Sequence, residues 1–134
     1  MLLDSNIIIY STQPEYKKLL EFLSTKEGIS VSIISKIEVL GFHKLTDSEK
    51  ENLHLFFEAI PTLRLSDEIV DEAIKLRQNK KMTLGDAIIA ATALHKKIAL
   101  LTNNIADFKH IEGLKLIAID DIIGGKEERS FPME

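Results

Sequence analysis

Leu84-Gly-Asp-Ala-Ile-Ile-Ala-Ala-Thr-Ala-Leu-His95 is a run of small and apolar residues with a single acid, Asp86, near its start. A helix formed from it has almost no polar face, so it belongs in the middle of a domain. Thr83 stands in front of it as a cap-forming residue. After Lys96-Lys97 comes Ile98-Ala-Leu-Leu101, an apolar run of strand length. A wholly buried helix followed by a wholly buried strand is the pattern of a parallel sheet covered on both faces.

The alternation continues in both directions. Met1 to Leu3 reads as a buried strand, followed by a short helix or turn at Asn6-Ile-Ile-Ile-Tyr10. Pro14 suits a helix start, and Tyr16, Leu19, Leu20, Phe22 and Leu23 recur at helical spacing until Gly28. Ile29 to Ser32 alternates like a strand, and a largely buried helix is expected from about Ser35 through Phe42. Thr46 opens a helix whose stripe is Leu53, Leu55, Phe56, Phe57 and Ile60; Pro61 stops it. Thr62 to Leu65 is a weakly marked strand, Ser66 caps the next helix, and Leu116 to Ile119 is the last strand. The expected fold is a single three-layer α/β domain over residues 1–123, with a mostly parallel sheet of about five strands flanked by helices. Residues 124–134 read as a polar, mobile tail.

Composition narrows the function. The 134 residues are 45% hydrophobic and contain no cysteine, which excludes thiolate catalysis and cysteine-rich zinc sites. No basic leader and no bilayer-length apolar segment stand out, so a cytoplasmic protein is expected. Seventeen Lys and Arg against 21 Asp and Glu give a formal charge of −4, unlike a protein that simply coats phosphates. Bound divalent cations would reverse that sign locally.

Four acids, Asp4, Glu38, Asp86 and Asp107, each stand where an apolar run gives way to an expected helix. Taken singly, each is best explained as a helix-start residue: Ser35 to Glu38, Thr83 to Asp86 and Asn104 to Asp107 have the spacing of a capping box, as does Thr46 to Glu49. Taken together they suggest a divalent-metal site, because parallel strands bring their carboxyl ends to one edge. Other chemistry is weaker. The four histidines show no ligand spacing, there is no Gly-x-Ser-x-Gly elbow and no phosphate-binding glycine loop. Lys80-Lys81 and Lys96-Lys97 read as solvated helix ends, with guidance of a polyanion as the alternative. A haloacid-dehalogenase-like phosphatase would need an acid at Asn6, and a receiver domain would need paired acids on the first strand.

In order and spacing, Leu3-Asp4-Ser5-Asn6, Ser32-x-x-Ser35-x-x-Glu38, Gly85-Asp86 through Ala93, and Leu101-Thr102-Asn103-Asn104-x-x-Asp107-Phe108 resemble the PIN-domain family, above all its small VapC-type toxins. The resemblance spans Met1 to about Ile123. It implies a Mg²⁺- or Mn²⁺-dependent endoribonuclease with Asp4, Glu38, Asp86 and Asp107 as catalytic and metal-binding residues, supported by Asn6, Thr102 and Asn104. Ser5 replaces a more usual Thr, and Asn103 stands where Arg is frequent. The resemblance also implies an RNA substrate, a small antitoxin partner and a homodimer whose acidic clefts share a groove. An RNA-processing nuclease without an antitoxin and an inactive scaffold are the alternatives. Tyr16, Leu20, Phe56 and Phe57 are either core or the floor of an antitoxin groove, some of them facing each way.

Overall fold

Five very short strands, β1 (Leu2–Leu3), β2 (Ser30–Ser32), β3 (Thr62–Leu63), β4 (Leu100–Thr102) and β5 (Leu116–Ala118), form one sheet in the order β3-β2-β1-β4-β5. Every pairing is parallel, with Leu2 opposite Ser30 and Leu100, and Leu3 opposite Val31 and Leu101. The computed structural model describes residues 1–124, so the tail expected over 124–134 lies, apart from Gly124, outside the described residues.

Strands this short carry few ladder bonds, and their stability comes from burial on both faces. Successive side chains leave opposite faces of a strand. Leu3, Val31 and Leu101 pack into one apolar cluster with α1 (Ser5–Ser11), α2 (Lys17–Thr25), α4 (Asp47–Ala59) and α7 (Ile119–Ile123). Leu2 and Leu100 pack into the other with α5 (Asp67–Asn79) and α6 (Leu84–Lys96). α3 (Ile33–Leu40) runs past the sheet edge and touches α1, α4 and α6. As its composition requires, α6 is buried from Gly85 through Ala93 except at Asp86. The result is the expected three-layer arrangement.

Several local expectations shift, each for a visible reason. α3 begins at Ile33, not Ser35, because Ser32 at the strand end accepts the Ile34 N–H at 3.2 Å and caps it. That frees Ser35 for another role. α3 is also far less buried than expected: only Ser35 and Val39 are enclosed, and Ile37 is 62% exposed. Pro14 opens a 3₁₀ turn, Pro14–Tyr16, and α2 proper starts at Lys17. β3 stops at Leu63, β4 runs Leu100–Thr102, and Ile119 opens α7 instead of ending β5. Thr46 and Glu49 do form a reciprocal capping box on α4.

α6 ends on Lys97, whose φ of 58° makes it the one non-glycine among the described residues in the left-handed region. Glycine fills such a C-terminal position without the Cβ penalty. Lys97→Gly should therefore stabilise the fold by about 0.5–1 kcal/mol, read as a higher urea midpoint at unchanged slope. A lower midpoint would mean that the Lys97 side chain contributes more than its backbone costs.

Candidate active site

Sheet order reverses between β1 and β4, and the carboxyl ends of those two strands face the same crevice, where open parallel sheets place ligands. Asp4 follows β1 directly and is the N-cap of α1. Its Oδ1 accepts the Ser5 N–H at 2.8 Å, and its Oδ2 accepts the Thr102 hydroxyl at 2.7 Å. Thr102 is fully buried at the end of β4 and its Oγ1 also accepts the Asn104 N–H at 3.0 Å. Burial raises the Asp4 pKa and outweighs these two bonds, with Glu38 and Asp107 adding repulsion.

Glu38 reaches this crevice from α3. The Ser5 hydroxyl lies 2.8 Å from Glu38 Oε1 and 2.9 Å from the Ser35 hydroxyl, so one serine bridges β1's exit to α3. The carboxylate lies against Gly85 of α6: any Cβ there would collide with Glu38 Oε2. Asp86, the next residue, sits in the first turn of α6, where Thr83 Oγ1 accepts its N–H at 3.1 Å. Asp107 lies at the end of a 3₁₀ turn, Ile105–Asp107, and not on an α-helix as expected; the Asn104 side-chain amide donates to its carboxylate. Asp86 and Asp107 line a cavity of about 460 Å³ together with Lys80, Lys81, Met82, Thr83, Ala106 and His110.

The four acids thus share one electrostatic field. Desolvation, then repulsion from Asp4 and Asp107, pushes the Asp86 carboxyl up to about 6, and Glu38 adds to the shift. No cation is among the groups acting on Asp4 or Asp86. Among the described residues no three His, Cys, Asp or Glu side chains converge tightly enough to enclose a metal ion by themselves. Mg²⁺ does not ask for such a cage: it keeps several waters and takes one or two carboxylates, with substrate phosphate supplying further oxygens. An all-oxygen donor set with uncompensated repulsion suits Mg²⁺ or Mn²⁺ and not a thiophilic metal.

Of the residues singled out by sequence, Asp4, Glu38, Asp86, Asp107, Thr102 and Asn104 are brought to this edge. The capping explanation holds in part for Asp86, where Thr83 is a true cap, and fails for Glu38 and Asp107, since neither Ser35 nor Asn104 caps with its side chain. Asn6 lies exposed on the first turn of α1. What sequence reading missed is the bridging role of Ser5 and Ser35 and the place of His110 in the cavity; Lys80 and Lys81, weighed there as a guide for a polyanion, line the same cavity. The Ser5–Glu38 pairing spans 33 residues and carries no local signal; the lysine pair was visible but lacked a location.

A parallel sheet in this order, with acids at its switch point, makes this an α/β protein with an acidic ligand edge, and comparison with known proteins gives the family. Residues 1–114 match the PIN domain, so the chain belongs to the PIN-domain family. Ribonuclease VapC2 of Rickettsia felis is 28% identical over 126 residues, covering 86% of this chain and 94% of that protein. Among solved structures, a toxin–antitoxin complex from Klebsiella pneumoniae contains a chain 30% identical, with a TM-score of 0.70 over 87% of this chain and 95% of its own. VapBC2 of Rickettsia felis, solved bound to a promoter DNA fragment, is 25% identical with a TM-score of 0.74, covering 89% and 98%.

The raised carboxyl of Asp86 has a consequence for the metal-free protein. An acid that holds its proton more tightly when folded adds stability at low pH, and loses it as pH rises from 3.8 towards about 6. In chelator, Asp86→Asn should therefore be more stable than the parent at pH 7, by about 1 kcal/mol once solvent screening of a half-exposed group is allowed for. The two curves should converge near pH 4. Equal stability at both pH values in urea titrations would show that desolvation and repulsion together cost the folded Asp86 carboxylate nothing measurable.

Proposed function

We propose that this chain is the toxin of a toxin–antitoxin pair, a Mg²⁺- or Mn²⁺-dependent endoribonuclease that hydrolyses RNA phosphodiester bonds. The observation that carries the reading is the meeting of Asp4, Glu38, Asp86 and Asp107 in one field, in which the acids raise the Asp4 and Asp86 pKa values and no cationic side chain of the described residues lowers them. Family membership and the similarity to a protein named as a ribonuclease support the same conclusion. Asp4 and Asp86 would be the principal metal-holding residues, with Glu38 and Asp107 acting through waters or at a second ion. A divalent ion there would supply a polarised water as nucleophile and positive charge against the phosphate oxygens.

The protein's own part is to hold the carboxylates ready. Thr102 donates to Asp4 Oδ2 and so fixes the rotamer of the most buried acid. Ser5 orients Glu38 across the crevice, and Asn104 orients Asp107. Gly85 lets the Glu38 carboxylate approach the α6 backbone. Such supporting contacts are worth about 10–100-fold in metal affinity or activity. No described helix is long and apolar enough to cross a membrane, and a cytoplasmic ribonuclease fits that.

Two surfaces support the partner assignments. Beside α1, α2 and α4 a groove of about 640 Å³ is lined by Pro14, Leu20, Leu55 and Phe56. Leu20 is 46% exposed there while Tyr16 and Phe57 are 4% and 5% exposed, so the four aromatic and leucine positions divide between groove and core. An amphipathic antitoxin helix suits the groove. On the far side, Leu65 just before α5, Val70 and Ile74 on α5 and Leu84 on α6 are exposed, and Leu84 adjoins the acid edge through Gly85 and Asp86. Pairing of two copies across that face would bring the two acidic clefts to a common groove.

Asp86→Asn should cut Mn²⁺-dependent cleavage of RNA by more than about 100-fold and shrink the rise in melting temperature that millimolar Mn²⁺ gives the parent. A variant that keeps both removes Asp86 from the site. For the two surfaces, Leu20→Asp should lose a co-expressed antitoxin and remain a dimer, whereas Ile74→Asp should become monomeric by light scattering and still bind it. Identical behaviour of both variants in both assays would show that the surfaces are misassigned.

A further inference from the structure

The cavity lined by Asp86 and Asp107 also carries cationic side chains that the acids do not explain. Lys80, Lys81 and His110 line it together with Met82 and Thr83. In a chain of net charge −4, two adjacent lysines here set two positive charges beside the two carboxylates of the same cavity. Both are exposed, and among the described residues neither forms an ion pair, although Asp86 and Asp107 line the same space. The segment that carries them is also held in place. Lys80 is the C-cap of α5, with its N–H directed to the Leu76 carbonyl at 3.2 Å. Arg77 Nε donates to the Met82 carbonyl at 3.3 Å, and Thr83 caps α6. The backbone of the loop is therefore fixed at both ends while its ammonium groups stay unpaired, which lowers the ordering cost of binding a polyanion.

We propose that Lys80 and Lys81, with His110 in the same cavity, form a phosphate-binding subsite that seats the RNA backbone next to the acids. The proposal rests on the ribonuclease reading and deepens it. A flexible ammonium is a point charge suited to a phosphate whatever base it carries, so this subsite contributes affinity and placement and not sequence choice. The acids cannot serve that purpose, because their own charge opposes an approaching phosphate. Cationic and anionic side chains in one cavity give a strand two distinct contacts: one phosphate on the lysines, and the neighbouring phosphate at Asp86 and Asp107 through the divalent ion they would hold.

The test uses Lys80→Ala/Lys81→Ala in the full chain, with Lys26→Ala, an exposed lysine at the end of α2, as control for loss of a surface lysine outside the cavity. Both changes are at exposed positions, so circular dichroism and melting temperature should match the parent. In steady-state cleavage of a labelled single-stranded oligoribonucleotide with Mn²⁺, the double variant should raise KM about tenfold and leave kcat within about twofold. In anisotropy titrations of the same oligonucleotide with Asp86→Asn as background, the slope of log affinity against log salt should fall by roughly 1.4, about 0.7 for each lost phosphate contact. Lys26→Ala should move neither. Unchanged KM and salt slope in an enzyme that does cleave RNA would overturn the subsite alone. A fall in kcat at constant KM would overturn it as well, because that places the lysines in the chemistry. A parent that neither binds nor cleaves the oligonucleotide would overturn the subsite together with the ribonuclease reading.

Discussion

Repulsion among carboxylates at the open edge of a two- and three-residue-strand sheet is the constraint around which this molecule is arranged. Like charges in a partly desolvated crevice raise one another's pKa, and here burial and neighbouring acids move Asp4 and Asp86 in that direction. The fold tolerates this because its two apolar layers are dense where the site is not. Leu2, Leu3, Leu100 and Leu101 are completely enclosed one or two residues from Asp4 and Thr102. The central β1–β4 pairing thus buries its leucines and delivers a carboxylate and its hydroxyl partner to the same point. Register is the link: with Leu3 opposite Leu101, the next pair along is Asp4 and Thr102, joined at 2.7 Å. A slip of one residue would turn the leucines out of their layers and separate the pair.

Support for the remaining acids follows the same economy of short polar links. Ser5, already used for the α1 start, reaches Glu38 on a different layer, and Ser35 stands behind it fully buried. Buried hydroxyls are costly to leave unpaired, so the Ser35–Ser5–Glu38 chain persists only while all three are in place. Asn103 adds a separate tie, its amide donating to the Tyr10 hydroxyl at 3.1 Å, while Tyr10 stacks on Tyr16 with centroids 4.5 Å apart. The loop that carries Asn104 and Asp107 is thereby fastened to α1. At the position where the resemblance leads one to expect Arg, this chain has a residue that braces the loop.

Much of the architecture was legible in the sequence because period and punctuation agree. The apolar run from Leu84 has one reading as a buried helix, and the strand runs on either side have one reading as buried strands. Boundaries were less legible, since Ser32 and Ser35 are equally good caps in sequence and only the extended backbone of Ser32 at the end of β2, with its hydroxyl on the Ile34 N–H, selects it. Exposure of α3 was misread for a related cause: Ile34, Ile37, Val39 and Leu40 look like a buried set, yet the helix passes the sheet edge and leaves Ile37 in solvent. For the site, the acids could be picked out by their positions at strand ends, whereas the Ser5 bridge depends on an approach between segments far apart in the chain, and the lysine pair, close to Asp86 in sequence, meets Asp107 and His110 only through the fold. Local pattern finds which residues are out of place; it does not find what they meet.

α6 shows why site and core are hard to separate here. Its buried length, Gly85 through Ala93 apart from Asp86, fills the layer against Leu2 and Leu100. Its first turn carries Asp86 and the one residue, Gly85, whose missing side chain admits Glu38. The helix is seated by its small residues, which leave it little freedom to shift, and its N-terminus cannot move without carrying two walls of the crevice with it. The partial positive charge of that terminus favours the Asp86 carboxylate, yet burial and the other acids outweigh it, since the group's pKa is still raised. Packing therefore sets the position of the acid, and the acid's electrostatic environment follows from packing instead of the reverse.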